Sequence, residues 1–384
     1  MSTRGSHRLK LLDRYVGIPL VALGALRPKR DMPADIRRIG LMKTAAIGDT
    51  VLLAGLVDDV KSAYSSVELA LITGLDNAGV APLLGPAVDR TVTVSPSNIP
   101  ASIRTLRALR LDALVDLGAW PRFDALLAAF SGARFTAGFR TAGQHRHHAY
   151  DATADHSGTV HERTNYERLL QLIGVSAHTP PRLFRTNTLR AEQMPTDTFA
   201  VFHPWSSGYR HEVKEWPTDR WIALGTAVSS TVERILITGG RNETRRTRAL
   251  VEQMVANGIS ATDMSGKFTL PELTDLLAAS RFVVSVNTGV AHLAALAGAR
   301  TVSLEGPTPA VRWAPLGPRV RTVTTAYERC GYLDLGFEYD GQRLDCMEGI
   351  SVDAVERALT ELLTAVDHPI GPSSTRRVPA GESK

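Results

Sequence analysis

The sequence predicts an α/β protein of two doubly wound domains facing a common cleft. Three observations carry that expectation. Short apolar strands alternate with helical stretches along most of the chain, the pattern of parallel sheets covered by helices. The alternation runs once, breaks, and runs again. The break, residues 177–198, holds Pro180, Pro181 and Pro195 and sustains no period. A length of 384 residues fits two domains at roughly 100–200 residues each.

In the first half, "IRRIGLM" (36–42) reads as a strand and 49–64 as a helix. Strands follow at 67–72, 91–94 and 111–117, with helices at 100–110, 121–130 and 162–174, the last closing at Gly174. In the second half, 199–203, 234–238 and 282–286 read as strands. Helices occupy 218–228, 243–256 and 270–280, another begins at Thr288, and 351–366 is the last. "RTVSLEG" and "RVRTVTT" are late strands. The expected organisation is an extension (1–35), an N-terminal domain (36–176), a linker (177–198), a C-terminal domain (199–366) and a polar, disordered tail (367–384). Domains of this kind bind ligands outside the carboxyl ends of their strands.

Hydrophobic residues make up 43% and charged residues 22%, ordinary for a soluble globular chain. The formal charge of +5 is concentrated in residues 1–38, where nine Lys and Arg face three Asp. The remainder is nearly neutral, which argues against a broad nucleic-acid surface. Within the extension, "YVGIPLVALGAL" (15–26) is uncharged between Arg14 and Arg27. It is too short to span a bilayer, which needs about 20 residues, and lacks a signal-peptide cleavage site. Two readings stand: a helix packed on the body with Pro19 as a bend, or an interfacial anchor in which residues 9–30 contact anionic lipid. Cys330 and Cys346 form no disulfide framework and lack CxxC spacing. They read as small buried hydrophobes in a reducing compartment.

Four segments have the residue types for chemistry. "KTAAIGDTVLLAGL" (43–56) places Lys43, Thr44, Gly48 and Asp49 where a strand gives way to a helix. Asp49 reads either as a helix cap or as a general base at the carboxyl edge. Gly48 permits close approach. The spacing is neither a Walker A loop nor GxGxxG. "HPWSSGYRHEVKEWPTDRW" (203–221) offers Ser206, Ser207, Arg210 and Lys214, which suit a diphosphate. The plain reading is an exposed charged loop with Trp216 and Trp221 anchored in the core. "SVNTGVAHLAAL" (285–296) ends a buried strand on Asn287, Thr288 and Gly289 and starts a helix whose free N–H groups suit a phosphate. His292 follows Thr288 by one turn, as a packed residue or a ligand-facing one. The histidine-rich stretch 144–156 matches no standard zinc spacing and reads as a mobile polar loop at the cleft rim.

In combination these segments resemble glycosyltransferase family 9, the ADP-heptose heptosyltransferases of bacterial lipopolysaccharide core assembly, over about residues 36–366. The pieces that carry the resemblance are "KTAAIGDTVL", "HPWSSGYRHEVKEWP", "LITGG", "DMSGKFTLPELTDLLAASRFVVSVNTGVAHLAALAG", "GPTPAVRWAPLG" and "DCMEGISVDAV". Residues 264–317 are the most specific. The resemblance implies a GT-B architecture, with the acceptor on the N-terminal domain and the sugar nucleotide on the C-terminal one. It implies inverting transfer of a heptose from ADP-heptose to a lipid A-Kdo type acceptor, at the cytoplasmic face of the membrane. By position, Asp49 matches the general base, with Lys43, Thr44 and Gly48 on the acceptor side. Lys214 matches the phosphate-binding lysine, Thr288 and Gly289 the phosphate-binding turn, and His292 the adjacent histidine. Met264 matches a residue near the adenine, and Glu243 a ribose-binding acid. No DxD-like motif is present, so no metal or cofactor is expected.

The chain departs from the family pattern at Asn287, where an acid is common, and at Ala45 and Ala46, where hydroxyls are common. It departs again at Leu304-Glu305, where a small or apolar residue is usual. The departures leave room for another nucleotide sugar or a soluble metabolite acceptor. A non-catalytic nucleotide-sugar binder and a nucleotide-sugar epimerase are the remaining alternatives.

Overall fold

The computed structural model describes residues 13–365. The polar tail from Asp367 and the first residues of the basic extension lie outside the described residues. The chain builds two six-stranded sheets, ordered β3-β2-β1-β4-β5-β6 and β12-β11-β10-β7-β8-β9. The first comprises β1 (Arg38–Lys43), β2 (Glu68–Thr73), β3 (Arg90–Thr93), β4 (Ala113–Asp116), β5 (Phe135–Arg140) and β6 (Ala152–Asp155). The second comprises β7 (Phe199–His203), β8 (Arg234–Ile237), β9 (Ala261–Asp263), β10 (Val283–Val286), β11 (Thr301–Glu305) and β12 (Val320–Thr324). Every pairing is parallel. Numbered within its own half, each sheet has the order 3-2-1-4-5-6. The direction of winding reverses between β1 and β4 in one sheet and between β7 and β10 in the other, which opens a crevice at those carboxyl ends.

The central strands are mostly apolar because helices cover both faces, with polar residues such as Lys43, Asp116 and His203 at their carboxyl ends. β4, β7 and β10 are buried at every position. Local chemistry fixes the helix starts. The helix Leu270–Ala279 opens on a reciprocal capping box between Thr269 and Glu272. The last helix, Val352–Thr364, is capped by Ser351.

Several expectations need correction. The helix expected over 49–64 is two, Ile47–Val51 and Leu56–Ala63. Gly55 separates them at φ +78°, and a Cβ there would stand 2.8 Å from the Thr179 carbonyl oxygen. Strands β5, β6 and β9 were not anticipated. Cys330 and Cys346 are not separate buried residues: they form a disulfide, with Cα atoms 5.8 Å apart. Their 16-residue separation gives no spacing signal, but the irregular chain after β12 folds back and brings its ends together.

The proline-bearing segment is strapped onto both halves. Thr179 donates to Asp59 through N–H (3.0 Å) and hydroxyl (2.7 Å). Phe184 N–H donates to Leu83 O at 2.8 Å and Leu183 N–H to Leu296 O at 3.2 Å.

Residues from the extension lie on the first half. The helix Gly17–Ala22 buries Val21, and Asp13 ion-pairs with Arg122 at 3.1 Å. Arg27 and Arg30 both pair with Asp151 at 2.7 Å. Packing uses one side only. Tyr15, Val16, Leu20, Leu23 and Leu26 remain 46–83% exposed. Among the described residues, no helix is long and apolar enough to cross a membrane.

Candidate active site

Lys43 is the last residue of β1, at the point where the first sheet reverses its winding. The chain then passes Ala46, held at φ +70°, a strained backbone for a residue with a Cβ. The helix Ile47–Val51 follows, with Asp49 in its first turn. Ala46, not Asp49, is the cap residue, and no side chain caps this helix. The capping reading of Asp49 is therefore set aside. Its carboxylate instead meets the Lys43 ammonium at 2.9 Å and stays 23% exposed. Lys43 is itself buried, donates to Leu117 O at 3.3 Å, and lies over the Tyr166 ring. These contacts give the carboxylate a fixed partner in a fixed place.

Beneath the pair is a buried charged network. Asp116 accepts from Arg146 at 2.5 Å and from the Tyr150 hydroxyl at 2.6 Å, and Arg146 also donates to Gly118 O. Thr44 spends its hydroxyl on Asp124, 2.8 Å from either oxygen. Burial, with Asp116 nearby, pushes the Asp124 carboxyl up to about 7.

Across the cleft, β10 ends at Val286, and Asn287 and Thr288 lead into the helix Gly289–Leu296. Thr288 is the cap residue: its hydroxyl accepts from Val290 N–H at 3.3 Å. The two helix starts touch. A Cβ at Gly289 would stand 2.8 Å from Ile47 Cβ, and one at Gly48 would stand 3.0 Å from His292 Cδ2. Both glycines are thus required by the approach of one sheet edge to the other. His292 is buried here, and burial lowers its pKa to about 4, so the imidazole is neutral near pH 7. Its Nδ1 is buried without a partner.

The loop after β7 carries the other phosphate candidates. Lys214 donates to Ser207 O at 3.1 Å, and Ser206 N–H donates to Glu215 at 3.0 Å. Arg210, in a left-handed conformation, stands 5.4 Å from the centre of the Tyr339 ring. Trp216 and Trp221 are core anchors, 3% and 1% exposed. Because β7 neighbours β10, this loop lies beside the Asn287 turn. Glu243 follows β8, one strand further out, and Met264 follows β9, the strand beyond. Lys43, Gly48, Asp49, Gly289 and His292 are thus drawn together. Thr288 and Asn287 adjoin them, and the remaining candidates line the edge outward.

Sequence reasoning missed a second cluster between the halves. Arg312, fully buried, donates to Glu162 at 3.0 Å and lies 3.1 Å from His156 Nε2. It also pairs with Asp334. Burial alone would raise the Glu162 carboxyl, but His156 and Arg312 outweigh it and hold it at about 2. His161 reaches Ala314 O at 3.0 Å. Arg312 belongs to "GPTPAVRW", so the motif was visible. Its partner 150 residues earlier carries no local signal. Among the described residues, no group of three or more His, Cys, Asp or Glu side chains could hold a metal ion.

Two parallel sheets of the same winding, set carboxyl edge to carboxyl edge across a cleft, define the GT-B class of glycosyltransferases. Residues 101–332 match the model of glycosyltransferase family 9 (heptosyltransferase), and the chain belongs to that family. Lipopolysaccharide heptosyltransferase 1 of Salmonella typhimurium is 34% identical over 122 residues, 31% of this chain and 36% of that protein. The protein of the same name from Escherichia coli O18:K1:H7 is 24% identical over 297 residues, 71% of this chain and 86% of its own. Among solved structures, the family 9 glycosyltransferase from Veillonella parvula superposes with a TM-score of 0.69 at 18% identity, over 87% of this chain and 99% of that one. E. coli heptosyltransferase WaaC with ADP gives 0.65 at 19% identity, over 85% and 99%. At these identities the superpositions bear on fold alone.

Proposed function

We propose that the chain transfers a heptose, with inversion, from ADP-heptose to a lipopolysaccharide core acceptor of the lipid A-Kdo type. One observation carries the reading. A partly exposed carboxylate, Asp49, stands on one sheet edge where that edge meets the Thr288-capped helix start of the other. Asp49 takes the proton of the acceptor hydroxyl as its oxygen bonds to the anomeric carbon. The bond from that carbon to the diphosphate breaks, and ADP leaves with the electron pair. Lys214, the Thr288–Gly289 turn and the helix N–H groups take up the charge growing on the diphosphate. His292, neutral and buried, adds no charge there. Asn287 faces the donor sugar, and Glu243 and Met264 the nucleoside.

Asp49→Asn tests the base. Transfer to Kdo-lipid A should fall about 10²–10⁴-fold, the usual worth of a positioned general base. Calorimetry should show ADP-heptose still binding. Transfer at the wild-type rate would remove Asp49 from this role.

The lipid acceptor is favoured over a soluble metabolite by the exposed row Tyr15, Val16, Leu20, Leu23 and Leu26, beside the exposed Arg14 and beside Arg27 and Arg30, which share the single carboxylate of Asp151. An apolar helix face beside cations suits the surface of an anionic membrane. In this reading the enzyme works peripherally at the membrane face that holds its lipid acceptor. Changing Leu20, Leu23 and Leu26 to serine should reduce sedimentation with anionic liposomes by at least about tenfold, given the apolar area lost. Unchanged sedimentation would favour the soluble acceptor.

A further inference from the structure

Asn287 and Glu305 stand side by side at the ends of neighbouring strands. Val286 is in register with Leu304, so Asn287, the first residue past β10, lies beside Glu305, the last residue of β11. The Asn287 amide nitrogen donates to Glu305 Oε1 at 2.6 Å and to the Trp313 carbonyl at 3.1 Å. Ser303 donates its hydroxyl to the same Oε1 at 2.8 Å. An amide NH₂ has two hydrogens, and both are used. The orientation is not interchangeable, because the Trp313 carbonyl only accepts. A flipped amide would set oxygen against oxygen there. Among the described residues, nothing donates to the Asn287 amide oxygen. Asn287 is half-buried beside Thr288, at the turn assigned to the donor.

Glu305 is 1% exposed, and its second oxygen, Oε2, is buried with no partner. Among the described residues, no cation pairs with it. A buried acid in that setting is cheaper to hold protonated than ionised, and burial pushes its pKa up to about 8. The turn therefore carries an amide, while the acid sits at the end of the neighbouring strand and uncharged. A carboxylate can only accept. Held by the Trp313 carbonyl and Glu305 together, the amide likewise presents only an acceptor.

We propose that Glu305 is a positioning residue of the donor-sugar pocket: it fixes the Asn287 amide so that Oδ1 accepts a hydrogen bond from a hydroxyl of the transferred sugar. The inference rests on the donor reading given above. It adds that this sugar contact carries no formal charge, so no anion stands beside the departing diphosphate. Unconstrained, Asn287 would turn either end of its amide to the ligand.

Calorimetry with two probes, ADP and ADP-heptose, tests it. The ratio of their affinities isolates the sugar. In Glu305→Leu that ratio should fall about 3–10-fold, the worth of one neutral hydrogen bond, while ADP affinity stays unchanged. Glu305→Gln, which keeps an acceptor and is neutral, should restore the wild-type ratio. Asn287→Ala, altered at a half-buried edge, should lose the same factor as Glu305→Leu, and it supplies the measurement if the leucine variant does not fold. A wild-type ratio in both Asn287→Ala and Glu305→Leu overturns the inference and leaves the donor reading in place. If the wild-type protein itself binds ADP-heptose no more tightly than ADP, the donor-sugar reading fails, and this inference with it.

Discussion

The two sheet edges share one winding and differ in chemistry. At the first, charges are present and paired: Lys43 with Asp49, and Asp116 with Arg146. At the innermost turn of the second, the buried titratable groups are neutral near pH 7. His203 and His292 are lowered to about 4, and Glu305 is raised to about 8, each chiefly by burial. What that turn offers instead is dipoles: the N–H groups of a helix start, a hydroxyl cap and a locked amide. The difference fits a division of labour. An edge that moves a proton needs a titratable group held by a partner. An edge that receives a dianionic leaving group is served by preorganised dipoles that introduce no competing negative charge. Topology alone dictates neither; residues one or two positions past each strand do.

The comparison can be broken by removing one acid from each edge. Asp116 accepts from Arg146, Tyr150 and Gly118 N–H, and both members of its ion pair are fully buried. Asp116→Asn removes the carboxylate that pairs directly with buried Arg146 and should cost about 3–5 kcal/mol. Near pH 4.5, before the Glu305 linkage lowers the wild type's stability, Glu305→Gln replaces one neutral group by another and should cost under about 1 kcal/mol. Urea midpoints read at constant slope give both values. Equal costs would mean that Glu305 is charged and that the two edges are alike.

A second, smaller effect sharpens how closely the edges must meet. The Cβ of Gly289→Ala would stand 2.8 Å from Ile47 Cβ and 3.0 Å from the backbone nitrogen of Gly48. Backbone cannot give way as a side-chain end can, so the helix starts must separate. A displacement approaching 1 Å costs about 10²-fold in a positioned reaction, and kcat/KM for sugar transfer should fall by that order. Gly48→Ala meets a ring edge at 3.0 Å and should cost less. The reverse order would place the tight contact elsewhere.

Much of this was legible in the sequence, for a physical reason. Parallel strands buried on both faces are mostly apolar, so "FAVFH" and "FVVSV" declare themselves, and Thr288 before Gly289 announces a capped helix. The strands that escaped, "FTAGFR", "ATAD" and "ATD", mix small and polar residues, and two of them are edge strands of three or four residues. Gly55 interrupts a sequence that is otherwise continuously helical, and only the carbonyls of Thr179 and Pro180 explain it. Asp49 stood out as an acid at a strand edge, but its Lys43 partner follows from Ala46 bending the chain. Glu162 with Arg312 and Asn287 with Glu305 lie far apart in sequence. Glu162 reads as an ordinary polar position until the fold joins it to Arg312, and Asn287 and Glu305 stand out singly in the sequence while nothing there shows that they pair.

The smallest expected effect is the pH dependence of stability, and it separates the two kinds of buried acid by sign. Glu305 has its folded pKa raised from an ordinary 4.5 to about 8. Between those values the folded chain holds a proton that the unfolded chain has released. Its contribution is complete below about pH 4.5 and is lost as pH rises toward 8. Glu162, held at about 2, behaves oppositely: its contribution is complete above pH 4.5 and is lost as pH falls toward 2. Glu305→Gln removes only the first dependence. Its melting temperature should therefore gain on the wild type between pH 6 and 8, by about 2–4 °C for each kcal/mol released. Near pH 4 the two curves should run parallel, since Glu162 governs both. A constant difference across pH 6–8 would show that Glu305 does not titrate there, and the uncharged character of the second edge would then rest on its histidines alone.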